Sequence, residues 1–191
     1  MSLPVSQPTY NFTDYLSWDE RDRVEIIHGL PVTMQAAPSR KHQEICGAVF
    51  AQIHHYLEGK RCKVYAAPFA VRVLDDADTP DDRSDTVVEP DISVVCDASK
   101  LDDHGCKGAP DMIAEVLSPS TARVDRFVKL NLYQRAGVKE YWIIDPVAQS
   151  VQVFLHNGSH YDAAEYYSAG DIAKVHVLQG CFVELSRVFS D

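Results

Sequence analysis

Three short apolar runs, with a helical segment lodged between the second and third, constrain this chain more than any other feature. Residues 92–95 (ISVV), 112–117 (MIAEVL) and 141–144 (YWII) are rich in β-branched or aromatic side chains and bounded by turn formers. That pattern suits short buried strands. Ser118-Pro119-Ser120 opens the intervening helix, with Ser120 as its expected N-cap, and Ala136-Gly137 closes it. An order of strand, loop, strand, helix, strand predicts an α/β fold built on a sheet. Two carboxylates fall on these elements: Asp91 where the first strand opens, and Glu115 inside the second. An ionised carboxylate in an apolar strand is costly unless it is paired. A metal ion is one partner that fits; an Arg or Lys that staples the core is the other, and the residues alone leave both open.

The flanking sequence supplies further elements. Residues 23–27 and 30–35 read as a hairpin about His28-Gly29, with Glu25 in its first strand. Thr13 is the expected cap of a short helix through Glu20. Ser39 caps a long helix to about Leu57, whose Ile45, Val49 and Ile53 recur at helical spacing. His42, His54 and His55 lie on it; a lone helical histidine is usually a packing or surface residue. Residues 62–67 and 69–74 read as strands around Pro68, and 151–156 with 160–166 as a hairpin turned by Asn157-Gly158. Residues 172–177 and 181–185 are expected as short terminal strands. The acidic segment 75–85 fails as a calcium loop, since counting from Asp78 puts Pro80 at a ligand position and Arg83 where glycine is needed. A solvated loop is expected there. The expected organisation is a loose arm over residues 1–11 and one domain over 12–191.

The runs PDISVV and GAPDMIAEVLSPST, then Asp125-x3-Lys129-x3-Tyr133, then GVKEYWIIDP resemble the Uma-two family of restriction-endonuclease-like proteins. That family is placed in the PD-(D/E)XK nuclease superfamily. Glu25 and the segment Ser39-Arg40-Lys41-His42 share in the likeness, so it covers most of the chain. The resemblance implies a restriction-endonuclease-like mixed β-sheet core flanked by helices, with additional β-hairpins. It implies a metal-dependent endonuclease acting on DNA, with Mg²⁺ or Mn²⁺ on Asp91 and Glu115, and a homodimer or other homo-oligomer. Asp91, Glu115, Lys129 and Glu25 are the implied catalytic residues; Ser118, Tyr133 and His42 are implied to support them or the substrate.

One position departs from the superfamily pattern. Where its strand lysine is expected, this chain has Leu117. Lys129 can replace it, because Asp125, Lys129 and Tyr133 at i, i+4 and i+8 share a helix face. A helix that doubles back along the strand brings Lys129, about 13 Å along its axis, roughly level with Glu115. The plainer reading is a surface ion pair between Asp125 and Lys129.

Charge sets a limit. The chain carries a net −10, awkward for an enzyme that must hold phosphates. Residues 75–85 hold six Asp and one Arg, whereas 36–72 carry six Lys or Arg against two Glu. A local basic footprint is possible, but strong non-specific DNA binding is not supported. The rival reading is therefore a catalytically silent nucleic-acid-binding or assembly module that keeps the fold. A serine hydrolase on Ser118 is weaker, for want of a G-x-S-x-G elbow. Five cysteines without a C-x-x-C pair predict free thiols, and the absence of a signal peptide or spanning run predicts a cytoplasmic protein.

Overall fold

The computed structural model describes residues 9–19, 24–33, 37–119 and 121–190. In chain order the elements are α1 (Phe12–Ser17), β1 (Val24–Ile27), β2 (Leu30–Thr33), α2 (Arg40–Leu57), β3 (Lys63–Ala66), β4 (Val71–Arg72) and β5 (Ile92–Val95). They continue with β6 (Leu101–Asp102), β7 (Gly105–Lys107) and β8 (Met112–Val116). A π-helical turn (Val124–Lys129) then runs into α3 (Leu130–Ala136). After it come β9 (Glu140–Asp145), β10 (Ser150–Leu155), β11 (Glu165–Ser168), β12 (Ile172–Val175), β13 (Cys181–Glu184) and α4 (Leu185–Val188).

The three apolar runs are β5, β8 and β9, which lie side by side in a six-stranded sheet ordered β11-β10-β9-β8-β5-β3. β8 and β9 are parallel, as a helical crossover requires; the other pairs are antiparallel. Alternation along the strands then builds two cores. Val94, Met112, Ala114, Val116 and Trp142 pack with Ile45, Val49, Ile53 and Leu57 of α2. Ile113, Leu117, Tyr141 and Ile143 pack with Leu132 and Tyr133 of α3. Each fully buried aliphatic side chain on that stripe of α2 contributes about 1.5–3 kcal/mol of hydrophobic stabilisation. α2 begins at Ser39, whose hydroxyl accepts the His42 N–H. α3 ends on Gly137 in the left-handed conformation, which spares it the Cβ penalty.

Several local expectations are corrected. Asn11, not Thr13, caps α1, because Asn11 and Asp14 exchange side-chain-to-backbone bonds in a capping box. That pins residues 9–11, with Tyr10 N–H donating to Gly29 O, so the part of the arm that is described is held; residues 1–8 lie outside the described residues. Ser120 also lies outside them, as do Glu20, Arg23 and Gln35. Residues 69–74 yield only the two-residue β4, which joins β7 and β6 in a separate three-stranded sheet. There Gly105 sits against Ala70 O, where a Cβ would be 2.1 Å away. The return arm 160–166 pairs at Tyr161 and then, one register position off, as β11. The acidic segment is anchored and not simply solvated: buried Arg72 bridges Asp81 and Asp102, and the Ser84 and Asp85 carbonyls accept from the Phe12 and Gly29 N–H groups.

The thiol expectation is overturned at one pair. β3 and β5 are antiparallel with Lys63 opposite Val95, which sets Cys62 opposite Cys96, and the two form a disulfide. Cys46, Cys106 and Cys181 are free. Among the described residues, no helix is long and apolar enough to cross a membrane.

Candidate active site

The register of the central strands places the two carboxylates together. Ile92 pairs with Ala114 and Ser93 with Ile113, so Asp91 falls opposite Glu115 at the strand ends. The Asp91 N–H points at Glu115 Oε2 (3.4 Å), and Asp91 Oδ2 accepts the Val116 N–H at 2.8 Å. β1 adds Glu25, which is buried and accepts the Glu89 N–H at 2.8 Å through Oε1. Glu89 in turn accepts a hydrogen bond from the Tyr15 hydroxyl, tying α1 to the same corner.

The helix after β8 supplies the countercharge. Lys129 Nζ lies 2.8 Å from Glu25 Oε1, 2.9 Å from Glu115 Oε1 and 3.8 Å from Asp125 Oδ1. One turn on, the Tyr133 hydroxyl donates to the same Glu115 Oε1 at 2.8 Å. Asp125 and Lys129 lie in the π-helical turn, a wider coil with i→i+5 bonds that recurs at functional sites. Asp125 O accepts a hydrogen bond from the Tyr141 hydroxyl of the sheet. Both side chains are buried, so this is not the solvated i, i+4 surface pair that spacing alone allows. At the start of α2, His42 Nε2 lies 3.2 Å from Asp91 Oδ2, and its Nδ1 lies 3.5 Å from Cys46 Sγ.

Electrostatics follow from this crowding. Burial raises the Glu115 pKa well above the usual carboxylate range; Lys129 opposes the shift, while Asp125, Asp91 and Glu25 reinforce it. Burial likewise pushes Asp125 up to about 6 against the pull of Lys129. Burial alone would lower Lys129, but Glu115, Glu25 and Asp125 together reverse it, so the ammonium stays protonated. Burial, and then the Glu115 charge, also hold the Tyr133 phenol protonated. The group opens into a cavity of about 790 Å³ lined also by Lys41, Leu117, Ser118, Pro119, Pro146 and Val147.

Glu25, His42, Asp91, Glu115, Lys129 and Tyr133 are therefore joined in one contact network. Ser118 lines the same cavity, and its Oγ accepts the Thr121 N–H at 3.2 Å. Two members were not singled out from sequence. Glu89 lies two residues before Asp91 and carries no periodic signal of its own; Asp125 was visible only as a partner in spacing to Lys129. Two donor sets could hold a cation. The carboxylates Asp91 and Glu115, neighbours across the strand register, offer hard oxygen ligands, and Glu89, which lines the same cavity, has a buried Oε2 without a hydrogen-bond partner. His42, Cys46 and Asp91 also bring ligand atoms within 4.8 Å of one another, but burial, and then Asp91 and Glu115, raise the Cys46 pKa and disfavour the thiolate that ligation requires.

Comparison with known proteins gives three findings. The family model Uma2, described as "Putative restriction endonuclease", matches residues 12–186. An uncharacterised protein, slr1290, of Synechocystis sp. (strain ATCC 27184 / PCC 6803 / Kazusa) is 24% identical over 153 residues, covering 78% of this chain and 76% of that protein. A crystal structure from Anabaena variabilis ATCC 29413, described as a putative nuclease belonging to DUF820, superposes with a TM-score of 0.72 at 20% identity. That match covers 95% of this chain and 98% of the other, so the two share a fold.

Proposed function

Because this chain belongs to the Uma2 family of putative restriction endonucleases, we propose that it is a metal-dependent endonuclease hydrolysing phosphodiester bonds of DNA. The observation that carries this reading is the charge imbalance at the base of the cavity. Glu25, Glu115 and Asp125 gather about the buried ammonium of Lys129, and Asp91 adds its charge beside Glu115. Buried like charges at such density take up protons or cations. Mg²⁺ or Mn²⁺ fits hard carboxylate oxygens, and Asp91 and Glu115 would hold it; Glu89, whose Oε2 has no hydrogen-bond partner, lines the same cavity. Bound there, the cation supplies Lewis-acid polarisation of the phosphate and an acidified water.

The chain's own residues do the positioning. Tyr133 and Lys129 fix one oxygen of Glu115, leaving the carboxylate a single orientation. His42 and the Val116 N–H do the same for Asp91. Lys129 brings a point charge beside Glu115 from the helix, where Leu117 leaves the strand without one; on this reading its ammonium stabilises charge developing on the phosphate.

A plasmid-nicking assay with Mn²⁺, paired with titration calorimetry, tests the reading. Wild type should nick and bind Mn²⁺, and Asp91→Asn should lose both. Unchanged Mn²⁺ affinity in Asp91→Asn would remove the metal assignment. Tight DNA binding without nicking in any divalent metal would favour the silent binding module.

A further inference from the structure

We propose that Lys41 is a substrate-binding residue of this site, its ammonium holding a backbone phosphate of the DNA. The inference rests on the nuclease reading above and gives a role to the one lining cation which that reading leaves unused.

The first observation is which positive charge is left over. Among the described residues lining the cavity, Lys41 and Lys129 are the only lysines or arginines. Lys129 is buried and shared among Glu25, Glu115 and Asp125. Lys41 is exposed, and its side chain makes no ion pair or hydrogen bond with any described residue. A phosphodiester is anionic, and Lys and Arg are the side chains that neutralise it. In this lining only Lys41 has its charge to spare.

The second observation is position. Pro38, Ser39, Lys41 and His42 all line the cavity, so the start of α2 forms part of its wall. The Ser39 hydroxyl accepts the His42 N–H and fixes that first turn. His42 Nε2 in turn lies 3.2 Å from Asp91 Oδ2. Lys41 is thus one residue away from a direct contact with a candidate metal-binding carboxylate.

The third observation is a charge order that works against the helix. A helix N-terminus is the positive end of the macrodipole, where acidic side chains stabilise and basic ones do not. The first turn of α2 reads Arg40-Lys41-His42 and contains no acidic residue. Arg40 is offset by Glu44 one turn on, and His42 faces Asp91. Lys41 is offset by no described residue. The N–H groups of these first helical positions also lack intrahelical acceptors. A choice that costs the helix and faces a candidate site is a mark of function. An anionic phosphate bound there would turn the repulsion into attraction.

The test compares full-length wild type, Lys41→Gln and Lys41→Arg, all of which should fold because the side chain is exposed. Fluorescence anisotropy with a labelled DNA duplex in EDTA, over a series of salt concentrations, reads the contact without turnover. Lys41→Gln should bind several-fold more weakly at low salt, and its slope of log affinity against log salt should be shallower by about 0.9. Lys41→Arg should restore both, since either side chain carries the charge. In Mn²⁺ nicking, Lys41→Gln should raise KM and leave kcat nearly unchanged, as expected for a group that holds substrate and transition state alike. An unchanged affinity and slope in Lys41→Gln would make Lys41 an ordinary solvated lysine. That result, no measurable binding by wild type, failure of Lys41→Arg to rescue, or a loss confined to kcat would each overturn the inference while wild-type nicking keeps the nuclease reading. Wild type that nicks in no divalent metal would overturn that reading, and this inference with it.

Discussion

Lys129 is enclosed by Glu25, Glu115 and Asp125, so replacing it removes more than a charge at a reacting centre. Lys129→Met leaves these carboxylates buried and unpaired, which costs about 3–5 kcal/mol of stability at neutral pH. Protonation relieves that cost, so urea melts should show the deficit shrinking between pH 7.5 and pH 5. Nicking should fall about 10²–10³-fold, and Lys129→Arg should recover little, because a planar guanidinium cannot set one point charge between two carboxylates. A stable Lys129→Met that nicks at the wild-type rate would exclude the role. Asp125 gives a prediction of opposite sign to the usual carboxylate. Its folded pKa of about 6 exceeds the unfolded value near 3.9, so the folded chain holds a proton that the unfolded chain has released. Stability from this group is therefore present below about pH 4 and lost as pH rises through about 6, on the order of 3 kcal/mol. Thermal melts in EDTA should show wild type losing stability across that window relative to Asp125→Asn; parallel curves would refute it. Sequence cannot rank such residues by burial alone. Glu140 is also a buried glutamate in an apolar strand, yet its oxygens accept from Trp142 Nε1 and the Val177 N–H, which makes it structural. What separates it from Glu115 is its partners, and partners are set by tertiary packing.

The π-helical turn is the element on which the site depends most. It places Asp125 and Lys129 inward while Phe127 and Val128 face solvent. Deleting Val128 should convert the turn to ordinary α-helix, leaving Asp125 and Lys129 three residues apart instead of four and displacing their side chains relative to each other. The close contacts of Lys129 with Glu25, Glu115 and Asp125 are then strained or lost. Nicking should drop at least 100-fold with far-UV circular dichroism nearly unchanged; retained nicking would show that the coil width is immaterial. Periodicity in sequence located this helix and the Lys129 face but could not distinguish α from π winding, because the two differ by one residue per turn. The central strands were legible for a plain reason: their β-branched runs are buried on both faces. The two- and three-residue strands β4, β6 and β7 were not, since too few positions exist to show alternation. The Cys62–Cys96 bond was hidden likewise, for its 34-residue separation has meaning only once β3 and β5 are in register. By loop closure it stabilises the fold by about 4 kcal/mol. Thiol titration of denatured protein should find three reactive cysteines without reductant and five with it. Five without reductant would restore the expectation of a fully reduced chain.

At the scale of the molecule, a net charge of −10 and a cavity with two lysines make electrostatic capture weak. With at most two phosphates neutralised, log affinity for duplex DNA should fall against log salt with a slope of about −1.8 at most. A slope several times steeper would mean that a basic surface outside the cavity carries the binding. The way the charge centre is distributed also has a bearing on biosynthesis. Its members come from β1, the start of β5, β8 and the helix beyond, and Lys129 meets Glu25 across 104 positions of chain. During translation the carboxylates emerge first and the ammonium after them, and they gather only when the helix docks on a finished sheet. A nascent chain thus carries Glu25, Asp91 and Glu115 before Asp125 and Lys129 can join them, so a fragment that ends before the helix holds those three carboxylates without their buried countercharge.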